Sequence, residues 1–121
     1  MALNVAKLAA QVARIYNEQL GDELDPCLLP SSAERVLILE RWRQMHGLLK
    51  TSDHRELLDG FVYYFRFVRR IDYIMGRSRP YKSGRRPFRA NLYWLMQAKN
   101  FNRIICGSYT HRIGKKNLNA H

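Results

Sequence analysis

The stretch from Arg55 to Met75 constrains the fold more than any other part of this chain. Leu57, Phe61, Tyr64, Phe65, Val68, Ile71 and Met75 recur at helical spacing and cover one broad face. Tyr63, Phe67 and Ile74 add a second apolar stripe, so only the side bearing Arg66, Arg69 and Arg70 is left for water. A helix this apolar has to be surrounded by other elements, which makes it the expected centre of a helical bundle.

Three further segments share the helical period, and none shows sustained strand alternation. Val5, Leu8, Ala9, Val12, Ile15 and Tyr16 form one face of a first helix that should end near Gly21. That segment begins without acids, as organelle presequences do, but its well-formed apolar face favours a folded helix. The loop GDELDPCLLP follows, broken by acids and two prolines. Ser31 then opens a second helix with Glu34 three residues on, the spacing of a capping box, and Ile38, Trp42, Met45 and Leu49 are its expected buried stripe. After a short polar turn, Ser52 or Asp53 caps the third helix. The fourth is expected from Pro87 to Cys106, buried through Ala90, Trp94, Ala98, Phe101 and Ile105, with Arg89, Met96, Lys99 and Arg103 outside.

These elements predict an all-α fold: a compact bundle of about four main helices with a basic loop between the third and fourth. At 121 residues, 46% of them hydrophobic, the chain has the size and apolar content of one domain. Residues 1–106 are assigned to it, and residues 107–121 to a basic tail. Asp72 falls at the edge of the third helix's apolar face, where either an arginine from the segment that follows or water has to serve it.

Charge is distributed unevenly. Residues 1–72 hold 10 basic and 10 acidic side chains, whereas residues 73–121 hold 11 basic ones, seven of them arginine, and no acid. The whole net charge of +11 therefore belongs to the second part. Such asymmetry implies an anionic partner, nucleic acid before membrane surface, against the plainer reading of a solvated basic face. No run is long and apolar enough to cross a membrane. The densest stretch, RSRPYKSGRRPFR from Arg77 to Arg89, has six basic residues, and interleaved aromatics accompany it: Tyr81, Phe88, Tyr93 and Tyr109. Arginine grips phosphate through two N–H groups at once, and an exposed ring stacks on unpaired bases. Phe88 and Tyr93 suit core packing better, and Tyr81 suits stacking. The expected nucleic-acid-binding set is Arg66, Arg69, Arg70, Arg77, Arg79, Tyr81, Lys82, Arg85, Arg86, Arg89, Lys99, Arg103, Arg112, Lys115 and Lys116.

Catalytic chemistry has little to build on. His46, His54, His111 and His121 are scattered, no zinc-ligand spacing occurs, and there is no phosphate-binding glycine loop. No cofactor or metal is expected, and the chain is read as non-enzymatic. A metal-free ribonuclease built on His111 would be the exception. Cys27 and Cys106 belong to no CxxC pair and suit a reducing, cytoplasmic setting, although a disulfide between them stays open.

The second part, FVYYFRFVRRIDYIMGRSRPYKSGRRPFRANLYWLMQ, together with the chain's length, helical pattern and basic charge, resembles the small subunits of Cascade-type (type I) CRISPR interference complexes. It is also similar to the C-terminal helical part of some large subunits of those complexes. The resemblance implies a non-catalytic subunit of a multi-protein ribonucleoprotein. Such a subunit contacts other subunits, copies of itself included, and holds target or displaced strand, as single-stranded DNA or RNA, by its backbone. Tyr63, Phe67 and Ile74 could then serve a protein interface, whereas in a lone domain they are more simply core, the default reading. Two other readings stand beside it: a stand-alone plasmid, phage or ribosome-associated basic protein that binds RNA or DNA, and an adaptor whose basic half meets an acidic protein.

Overall fold

A computed structural model describes residues 4–78 and 87–109. It is an all-α bundle, with six helices and no strand among the described residues. Helix α1 spans Val5–Leu20, with Asn4 as its cap: the Asn4 carboxamide oxygen accepts the Lys7 N–H at 3.0 Å. Helix α2, Ser32–Leu49, opens on the complete capping box, Ser31 Oγ accepting from Glu34 N–H and the Glu34 carboxylate accepting from Ser31 N–H. Helix α3, His54–Arg69, is capped by Asp53. It packs against α1 and α2 and is the central element that its apolar circumference predicts.

Phe61, Phe65 and Val68 of α3 are completely buried, with Tyr16 of α1 edge-on to Phe65 at 5.7 Å and Trp42 of α2 stacked on Phe61 at 6.0 Å. Each such large side chain contributes roughly 1.5–3 kcal/mol through burial. The α2 stripe holds at Ile38, Trp42 and Met45, while Leu49 stays exposed and Arg41 takes its place in the interior. In the second apolar stripe of α3, Tyr63 is 73% exposed and Phe67 half-buried, and both line an apolar groove with Leu48 and Ile105. Ile74 instead lies in the core.

Two long helices are shorter than the periodicity predicts. The third ends at Arg69, and a single turn, α4 (Asp72–Met75), follows. At the break the Arg70 and Ile71 N–H groups donate to carbonyls three residues back, Phe67 and Val68, and Ile71 becomes extended with its side chain fully buried. This tightening strands the Arg69 carbonyl at the helix end, where the Arg77 guanidinium donates to it.

The fourth helix is likewise two elements, α5 (Leu92–Met96) and α6 (Ala98–Ile105), separated by an extended Gln97. Residues 87–91 are not helical, and Asn91 caps α5 by accepting the Trp94 N–H at 2.8 Å. A helix end inside a protein leaves carbonyls that need donors. Here three side chains supply them: Asn100 Nδ2 to Trp94 O at 2.9 Å, Tyr64 Oη to Leu95 O at 2.8 Å, and Arg41 Nη1 to Met96 O at 3.2 Å. Arg41 and Asn100 are the two buried polar or charged residues among the described ones, so the break accounts for both. It also rephases the helix. Leu92, Leu95, Met96, Phe101 and Ile104 face the core, whereas the expected Ala98 and Ile105 are exposed and the expected outer residue Met96 is completely buried.

Candidate nucleic-acid interface

The loop between α1 and α2 carries Asp22, Glu23 and Asp25, and its backbone is pinned from several sides. Tyr16 Oη donates to Asp25 O at 2.7 Å, and the Asn17 carboxamide makes a two-point contact with the Cys27 peptide, at 2.8 and 2.7 Å. Burial, then the neighbouring Asp25 charge, push the Tyr16 hydroxyl far above its usual pKa, so it remains a donor. Burial and Glu34 likewise raise the Cys27 thiol. Cys27 and Cys106 are both free thiols.

Three arginines converge on this acidic loop. Arg69 grips Asp22 with both terminal nitrogens, at 2.7 and 2.8 Å, donates to the Gln19 carbonyl, and lies 3.6 Å from Glu23. Arg77 pairs with Glu23 through Nε at 2.9 Å and with Asp72 through Nη1. Arg89 pairs with Asp25 at 2.7 Å and donates to the Glu23 carbonyl at 3.2 Å. Asp72 thus takes an arginine partner from the segment that follows it. The Arg69 guanidinium, by hydrogen bonding, holds the Asp22 carboxyl at about 2, below its ordinary 3.8, so the pair persists far into acid. The Arg89 stem also passes close to Gly76, which ends α4 at φ 78°: a Cβ there would meet it at 3.1–3.2 Å.

The expected binding residues therefore divide. Arg69, Arg77 and Arg89 are engaged by carboxylates of their own chain, a use that the local sequence signals only for Arg77, through Asp72 five residues before it. Arg66 on α3 and Lys99 and Arg103 on α6 are exposed and form no ion pair among the described residues. Arg70 is half-buried at the end of α3. Arg79, Tyr81, Lys82, Arg85, Arg86, Arg112, Lys115 and Lys116 lie outside the described residues. All ten acidic side chains lie within them. None of the 11 basic residues after Asp72 has an acid in its own part of the sequence, and Arg77 and Arg89 take theirs from the first part.

A column of aromatic rings crosses the same part of the fold. Tyr73 of α4 stacks on Tyr109 at 6.2 Å and on Phe88 at 5.2 Å, and Phe88 packs against Trp94 of α5 at 5.0 Å. The Arg103 guanidinium sits 5.7 Å from the Tyr109 ring centroid. Tyr73, Phe88 and Trp94 pack on the core yet stay partly exposed, and neighbouring Tyr93 is 43% exposed. The fold thus brings Phe88 and Tyr109 together with Tyr73 and Trp94.

Among the described residues no cluster of three or more His, Cys, Asp or Glu side chains could hold a metal ion, and no helix is long and apolar enough to cross a membrane. Compared with known proteins, the chain matches no family model, no curated protein and no solved structure.

Proposed function

We propose that this chain is a non-catalytic nucleic-acid-binding protein that holds a single strand through its phosphate backbone, as a subunit of a larger ribonucleoprotein. One observation carries the reading: no acid follows Asp72 in the sequence, and the four carboxylates nearest the basic segment, Asp22, Glu23, Asp25 and Asp72, are already paired with Arg69, Arg77 and Arg89. Lys99 and Arg103 stand exposed on one short helix, α6, with Arg66 exposed on α3. A positive surface without carboxylates attracts phosphate and offers no general base beside it. Backbone contact of this kind positions a strand without choosing its sequence.

On this reading the protein works in the cytoplasm. The narrower form of the proposal is a small subunit of a Cascade-type interference complex, with other subunits and copies of itself as neighbours. Fluorescence anisotropy of a labelled single strand, titrated across salt, tests the common part. If about six phosphates are contacted, log affinity should fall against log salt with a slope of roughly −4. A slope near zero would remove the electrostatic reading altogether. Co-purification of a guide RNA with the native protein tests the narrower form.

A further inference from the structure

We propose that the Trp94 end of the aromatic column is a stacking site for unpaired nucleobases. The proposal rests on the nucleic-acid reading above and adds a second kind of contact to it. Four rings from three separate parts of the chain lie in sequence, Tyr109, Tyr73, Phe88 and Trp94, with neighbouring centroids 5.0–6.2 Å apart. One end is closed, since Tyr109 is buried and carries the Arg103 guanidinium beside its ring. The other end, Trp94, is partly exposed, and Tyr93 next to it is more exposed still.

The first two contacts are near-parallel, at 13° and 24°, while Trp94 tilts 54° from Phe88. The indole is therefore packed against Phe88 without being stacked on it face to face. A fixed ring costs little entropy when a base stacks on it, because its rotamer is already chosen. Base recognition of this type tolerates any sequence, since every base offers a π-face, which agrees with backbone binding that does not choose a sequence. The chain's net charge of +11 brings the strand in, and the rings then distinguish a strand with bases from a bare polyanion.

The test compares oligothymidylate with an abasic strand of equal length, using the full chain at low salt. Wild type should bind oligothymidylate more tightly by roughly 5- to 150-fold for one stacked base, and its tryptophan fluorescence should be quenched by that strand alone. Trp42 is 6% exposed against Phe61, so the quenching should disappear in Trp94→Phe. The double variant Phe88→Leu, Trp94→Leu should lose the preference while keeping its affinity for the abasic strand. Equal affinity of wild type for both strands overturns stacking and leaves the phosphate reading intact. Binding to neither strand overturns both. The wild-type comparison needs no variant, so a substitution that fails to fold does not blunt it.

Discussion

Tyr64→Phe isolates the helix break between α5 and α6, because it removes one oxygen and keeps the ring. Tyr64 is fully enclosed, and burial, outweighing the opposing Arg41 charge, holds its hydroxyl well above the ordinary tyrosine pKa, so the group is a permanent donor. That donor goes to the Leu95 carbonyl at 2.8 Å, standing in for the backbone N–H that an unbroken helix would provide. The ring contacts, 4.5 Å to Phe101 and 5.4 Å to Phe65, survive the substitution. What changes is a buried carbonyl left without its partner, a cost of about 1–3 kcal/mol. For a domain near this size each kcal/mol moves Tm by roughly 4 °C, so the variant should melt about 4–12 °C lower. Circular dichroism at a helical band reads the melt, with an unchanged starting spectrum showing that the fold is kept. A fall under 1 °C would mean that the carbonyl is satisfied in another way, and that the three side-chain donors do not hold the break open.

Neutralising the acidic loop, by Asp22→Asn, Glu23→Gln and Asp25→Asn together, should free three arginines for phosphate. The salt slope for a single strand should then steepen by up to about 2, and a slope equal to that of wild type would show that the clamp does not compete with the strand. Two glycines should respond in opposite directions to alanine. Gly76→Ala meets the Arg89 stem at a left-handed position and should cost about 1–2 kcal/mol, whereas Gly47→Ala, on open space within α2, should stabilise by about 0.5–1 kcal/mol in denaturant melts.

Periodicity and local chemistry by themselves determined where helices exist and which of them is central. Ser31 with Glu34, and Asp53 before α3, are caps whose partners lie three residues away, so the sequence contains the whole interaction. The same holds for charge, because the absence of acids after Asp72 is a property of the chain and not of its fold. Arg41 was partly visible, since it shares a face with Ile38, Trp42 and Met45, but its carbonyl partner on Met96 is 55 residues away. Only the tertiary structure decided that the long apolar periods break at Arg70 and at Gln97, where no glycine or proline interrupts them. Each break is stabilised by donors from elsewhere: Arg77 for the Arg69 carbonyl, and Arg41, Tyr64 and Asn100 for the end of α5. The arginines divided for the same reason. A guanidinium's local sequence does not reveal whether a carboxylate 47 to 64 residues away will reach it first, and for Arg69, Arg77 and Arg89 the folded α1–α2 loop does.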